Sequence, residues 1–170
     1  PEGKPAPGNP SLGLPGTWSM GHRTPQGLTF APDGRLWEVE HGPRGGDEVN
    51  LDRAGLNYGW PDAAYGMEYR GAAINEGVTA REGAEQPVYY WDPVIAPGGM
   101  TLYDGAMFPG WRGNLLVAGL KEKHIARLVL EGNRVVGEER LLTDLGERVR
   151  DIAVAADGAV WAITDETDGK

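Results

Sequence analysis

The chain has no cysteine, two phenylalanines, three histidines and no apolar run near the ~20 residues that span a bilayer. The missing thiols exclude disulfides and thiolate metal sites. His22, His41 and His124 do not sit at the spacing of two metal ligands on one helix, so nothing points to a zinc centre. Basic residues are the minority, 16 against 25 acidic, for a net charge of -9. Without a basic stripe this argues against a nucleic-acid partner. No G-x-S-x-G, Walker or dinucleotide-type glycine pattern occurs, and no charged-then-apolar leader segment heads the sequence.

Glycine and proline, in contrast, are abundant at 27 and 13 of 170 residues. Disorder does not follow, because 40% of residues are hydrophobic and six are tryptophan. Frequent turns between short packed segments fit better than long helices, and the length predicts one domain with a real core.

Residues 1–20 read as an extended leading loop, and 21–170 as the folded part. There the chain echoes itself. "GLTFAPDGRLWEVEH" (27–41) aligns with "DIAVAADGAVWAITD" (151–165), each alternating apolar residues around Asp33-Gly34 or Asp157-Gly158. Asp-Gly marks a tight hairpin turn because glycine accepts positive φ. "TLYDGAMFPGWRGNLLVAGL" (101–120) is a third, looser copy, and "ARLVLEGNRVVGEERLL" (126–142) predicts a hairpin turning at Glu131-Gly132-Asn133. Apolar runs starting near Leu36, Leu115 and Val160 fit a repeat of about 40–45 residues, the period of β-propeller blades. The copy due near residue 75 is obscured by an irregular segment, 42–86. The predicted fold is all-β: a partial β-propeller of roughly three to four antiparallel blades, with a β-sandwich as the alternative. The start at Pro1 rather than Met, and the stop one hairpin after Trp161, lead to the expectation of the C-terminal part of a larger propeller.

Three groups of residues could carry chemistry. In "HGPRGGDEVNLDRAGLNYGWP" (41–61), Asp47, Glu48, Asn50 and Asp52 lie in a run rich in glycine, a set of oxygens that suits calcium in an irregular loop and equally suits a solvated acidic turn. Arg148 and Arg150 are two apart at the start of a predicted strand, hence on one face, where they call for a shared anion or for carboxylate neighbours such as Glu147 or Asp151. Lys121 closes the apolar run "LLVAGL". Trp91, before a Pro/Gly-rich bend, could stack on a planar ligand or sugar, although core filling is the commoner role.

The motifs "GHRTPQGLTFAPDGRLWEVEHGPRGGDEVNL", "LNYGWP", "WDPVIAPGGM", "FPGWRGNLLVAGLK" and "RVRDIAVAADGAVWAITDE" cover most of 21–165. In them the chain resembles the soluble aldose dehydrogenases that depend on pyrroloquinoline quinone (PQQ), the six-bladed quinoprotein glucose dehydrogenase family. The resemblance implies PQQ over a central channel, held by Ca2+ and by cationic side chains. It implies backbone oxygens of Gly42 and Pro43 on the calcium that meets the quinone. Glu48 and Tyr58, the latter through its carbonyl, would hold a structural calcium. Lys121, Arg148 and Arg150 would meet the cofactor's carboxylates and quinone oxygens, with Arg23, Thr24 and Gln26 as the opposite wall. Tyr69 would border the cofactor, and Trp91 the substrate. The implied reaction oxidises the C1 hydroxyl of an aldose to the lactone by hydride transfer to the quinone, with an external electron acceptor, in the periplasm or outside the cell. The family's base is a histidine of the N-terminal half, and none of the three histidines here matches its motif, so this segment alone is expected to be inactive. Position 24 departs from the pattern: the family usually carries Asn where this chain has Thr. The rival readings are a calcium-stabilised propeller that binds sugar or protein without catalysis, and a calcium-dependent propeller lactonase.

Overall fold

Both Asp-Gly pairs close the hairpins that the alternation predicts, with the same geometry. In the computed structural model, which describes residues 4–169, the N–H of Gly34 donates to Ala31 O and that of Gly158 to Ala155 O. Both glycines take positive φ, 86° and 89°. The turns join β1 (Pro25–Phe30) to β2 (Leu36–Glu40) and β9 (Val149–Val154) to β10 (Val160–Thr164). Between them come β3 (Asp47–Asp52), β4 (Tyr89–Trp91), β5 (Pro97–Leu102), β6 (Leu115–Gly119), β7 (His124–Glu131) and β8 (Arg134–Leu141). The β7–β8 hairpin turns at Gly132-Asn133, and Glu131, expected within the turn, ends β7 paired to Arg134. Apart from two short 3-10 turns, Ile74–Gly77 and Pro109–Trp111, the described residues form no helix. The first three residues of the leading loop, and Lys170, lie outside the described residues.

The strands form three antiparallel meanders, β1-β2-β3-β4, β5-β6-β7-β8 and β9-β10, so the fold is all-β. Their leading strands β1, β5 and β9 lie side by side. Two glycines permit this closeness. A Cβ on Gly27 would stand 2.7 Å from Met100 N, and one on Gly98 would stand 2.1 Å from Arg150 O.

The segment 42–86 is less irregular than its composition suggests. Its acidic run is strand β3, and only 53–88 makes an excursion before β4. No further sheet arises near residue 75. Strand alternation explains the difference. Trp37 and Val39 pair with Leu51 and Val49 on one face, while Glu38 and Glu40 pair with Asn50 and Glu48 on the other.

The apolar face packs onto the second sheet. Trp37, Val39, Val49, Trp91, Met100, Leu115 and Val117 belong to one core. Leu116, Ala118, Ile125, Val149 and Ile152 belong to a second core, between the second and third sheets. Strand β6 therefore contributes to both, which is why it reads as an unbroken apolar run. Burying each large side chain of this kind is worth about 1.5–3 kcal/mol. The two outer faces of the array carry exposed apolar residues, Leu28 and Phe30 on β1 and Trp161 and Ile163 on β10.

Candidate functional site

The polar face of β2 and β3 is buried beneath residues 19–23 and 58–64, and this creates the most unusual chemistry in the chain. Asn50 Nδ2 donates to Glu38 at 3.1 Å, Glu40 at 3.2 Å and Glu48 at 3.4 Å. His22 stacks on Tyr58 and turns Nδ1 to Glu40, 3.4 Å away, and Nε2 to Asp52, 3.8 Å away. Burial opposes a charged His22, but the carboxylates of Asp52, Glu40 and Glu38 around it outweigh burial, and its pKa is pushed up to about 10. The surrounding carboxylates thus favour the protonated ring. Burial and the charge of Glu40 push Glu38 up to about 9, and the same two causes push Glu48 up to about 7. Buried oxygens of Glu38, Asn50 and Asp52 have no hydrogen-bond partner. A box this rich in carboxylates, with unmatched lone pairs, calls for positive charge.

Glu48 and Tyr58 line one small cavity together with Arg23, Glu40, Gly42 and Pro43. Tyr58 spends its hydroxyl on Leu51 O and the N–H of Arg53. Arg23 reaches across the cavity: its Nη1 donates to His41 O at 3.1 Å and Gly42 O at 3.2 Å, with the guanidinium over the Trp60 ring. The backbone N–H groups of Arg23 and Thr24 both donate to Glu40. Asp47, grouped with Glu48 as a candidate ligand residue from the sequence, has another part: its two oxygens accept the N–H groups of Gly42 and Ala96. Burial pushes its pKa up, and those hydrogen bonds pull it back.

The cationic pair sits at the third sheet. Arg148 and Arg150 donate to one oxygen of Asp165, at 3.1 Å and 2.6 Å, so their shared carboxylate lies across the hairpin rather than next in sequence. Those two hydrogen bonds, Arg150's first, hold the Asp165 carboxyl below its ordinary range. Gln26 borders a groove with Gly98, Gly99, Arg150 and Asp151, which brings β1 and β9 residues to one place. Lys121 stands exposed just past β6, and Tyr69 is exposed on the 53–88 excursion.

Trp91, expected to border the substrate, lies inside the first core. It is a strand residue, 3% exposed, in the first core, and its indole N–H donates to Glu138 at 3.0 Å. Period-two alternation from Tyr89 turns it inward, with the exposed Tyr90 between them. The residues that sequence reasoning missed are Glu38, Glu40, Asp165 and Glu138. Only the alternation of Glu38 and Glu40 with Trp37 and Val39 gives a signal for any of them.

The donor set fits a hard cation. Carboxylates of Glu40 and Glu48, on paired strands β2 and β3, and the main chain at Gly42 and Pro43 border one cavity, an oxygen set that suits a hard cation. The exposed guanidiniums at Arg148 and Arg150 fit a ligand that carries carboxylates.

The profile of the Glucose / Sorbosone dehydrogenase family matches residues 1–170. The aldose sugar dehydrogenase YliI of Escherichia coli (strain K12) is 43% identical over 157 residues, 90% of this chain and 42% of that protein. A crystal structure of glucose dehydrogenase superposes with a TM-score of 0.92 at 49% identity, over 96% of this chain and 49% of that one. The PQQ-bound form of an aldose sugar dehydrogenase from Streptomyces coelicolor gives 0.77 at 31% identity, over 99% and 45%. The chain spans about two fifths of the length of the curated relatives it matches.

Proposed function

Because this chain belongs to the glucose/sorbosone dehydrogenase family, among PQQ-dependent aldose dehydrogenases, we propose that it supplies one part of such an enzyme. The whole protein oxidises the C1 hydroxyl of an aldose to the lactone and passes the electrons to an external acceptor, in the periplasm or outside the cell. The three meanders are blades of a six-bladed propeller, and the rest of the ring covers the exposed faces around Phe30 and Trp161.

The observation that carries this reading is the placing of Arg23, Gly42, Pro43, Glu48 and Tyr58 around one cavity. Gly42 and Pro43 offer carbonyl oxygens to the calcium beside the quinone, while the Glu48 carboxylate and the Tyr58 carbonyl hold a structural calcium. Lys121, Arg148 and Arg150 bind the cofactor's carboxylates and quinone oxygens, Arg23, Thr24 and Gln26 bind it from the other side, and Tyr69 borders it. The quinone supplies a two-electron acceptor for hydride. These cationic and polar side chains orient it and lower the cost of negative charge on its oxygens.

No base comes from this stretch. His22 is enclosed by the acid box and stacked on Tyr58, His41 is engaged with Pro97 O at 2.6 Å, and His124 is buried. The proton acceptor for the sugar hydroxyl belongs to the remainder of the protein.

The test is reconstitution of the full-length protein with PQQ and calcium, followed by a dye-linked assay across aldoses. Bound-quinone absorbance with sugar-dependent dye reduction is the expected result. Quinone binding without turnover of any aldose would leave a binding module, and no quinone uptake would overturn the reading.

A further inference from the structure

We propose that Asp47 is a positioning residue that locks the Gly42–Pro43 carbonyls and Lys121 into one frame. This rests on the functional reading above for what those groups do, and on geometry alone for how they are joined.

Asp47 opens β3 and is 1% exposed. Its Oδ1 accepts the Gly42 N–H at 2.9 Å and its Oδ2 accepts the Ala96 N–H at 2.7 Å. One carboxylate thus joins the loop after β2 to the bend before β5, segments of two different sheets. The connection continues. Ala96 O accepts the N–H of Leu120 and Ile95 O accepts that of Lys121, both at 2.9 Å. From Gly42 to Lys121 the main chain is linked through the Asp47 carboxylate and the Ile95–Ala96 carbonyls.

Two further observations single out this seam. Ala96 sits at φ 52°, a left-handed conformation that a non-glycine residue keeps only where its surroundings over-determine it. Here Asp47 holds its N–H and Leu120 holds its carbonyl. Beside it, His41 Nε2 meets Pro97 O at 2.6 Å, a second stitch between the same two segments.

A buried carboxylate is a costly way to satisfy two amides when a neutral acceptor would serve. Its benefit is stiffness, since hydrogen bonds to an ionised acceptor are shorter and stronger. Both oxygens of Asp47 accept main-chain donors, so its part here is to tie the two segments together. It sets the spacing between the carbonyls that face the cation and the lysine that faces the cofactor, and misplacement by about 1 Å is enough to cost on the order of a hundredfold in such sites.

The experiment uses the full-length protein. Asp47→Asn keeps the shape but sets an amide donor against one of the two N–H groups. Its quinone Kd, measured by calorimetry in saturating calcium, is expected to rise about tenfold or more, with a higher calcium midpoint for quinone loading. Glu138→Gln serves as the comparison, because it weakens a partly buried network away from this seam; it is expected to lower Tm and leave both binding constants unchanged. Wild-type affinity in Asp47→Asn, or an equal loss in Glu138→Gln, would overturn the proposal. If Asp47→Asn does not fold, His41→Ala opens the same seam at its second stitch and is expected to weaken quinone binding in the same direction; unchanged affinity there counts against the frame. Hydrogen exchange separates this idea from the functional reading. The Gly42 and Ala96 amides should be protected in the wild type whether or not quinone binds, and rapid exchange at either one would overturn the clamp itself. A wild type that takes up no quinone while both amides are protected overturns the functional reading instead.

Discussion

Arg150 and Asp165 meet at 2.6 Å across the β9–β10 hairpin, and Arg148 donates to the same carboxylate oxygen. One negative charge thus draws together two guanidiniums that would otherwise repel, and both remain about two-fifths exposed. Asp165→Asn should let the pair separate. Quinone binding by the full-length protein is expected to weaken several-fold. Calorimetric titration decides the sign: tighter binding would mean that Asp165 repels the incoming carboxylates rather than holding their partners.

Thr24 spends its hydroxyl on Arg23, which donates to Oγ1 at 3.3 Å, and its backbone N–H on Glu40. The asparagine amide offers two N–H donors where the hydroxyl offers one. Thr24→Asn is expected to tighten quinone retention by about 0.5–1.5 kcal/mol, one net hydrogen bond. Equal affinities in parallel titrations would remove Thr24 from the wall.

Trp91 supports the core through its ring and Glu138 through its N–H. Trp91→Phe keeps most of the packing and removes the donor to a partly buried carboxylate. Thermal unfolding should register a loss on the order of 1–3 kcal/mol, with the aldose KM of the full-length protein unchanged. A raised KM at unaltered stability would restore a substrate role.

Glu138 accepts from Tyr89 at 2.7 Å, Trp91 at 3.0 Å and Arg140 at 2.9 Å. Burial raises its pKa, but hydrogen bonds from Tyr89, Arg140 and Trp91 and the charge of Arg140 outweigh burial and hold it below the ordinary value of 4.5. A depressed pKa stabilises the fold above the unfolded value and stops doing so as pH falls through the folded one. The Tm gap between wild type and Glu138→Gln should therefore be full at neutral pH and close on acidification below about 4.5. A gap that stays constant into acid would assign the loss to packing.

The parts of this molecule that depend on neighbours in sequence were legible. Asp-Gly and Gly-Asn turns, the alternation of β1, β2, β9 and β10, and the unbroken apolar β6 all follow from local rules. Strand β3 was not, because its acidic residues look like loop ligands until the partner strand supplies a buried polar face. Of the site, the 42–48 loop and the Arg148/Arg150 pair were visible as residue types in a pattern. Asp165 and Ala96 were not, since the bonds that give them meaning join positions far apart in the chain. Trp91 was ambiguous for the same reason: only the sheet assigns it a side.

The β2–β3 ladder has one oily face and one ionic face, and this gives the chain a check on its own pairing. A slip of one residue in β2 would drive Glu38 and Glu40 into Met100, Leu115 and Val117, and would turn Trp37 and Val39 toward His22. Either error alone would be severe, and no single slip avoids both. The acid box and the apolar core thus specify the same strand register from opposite faces.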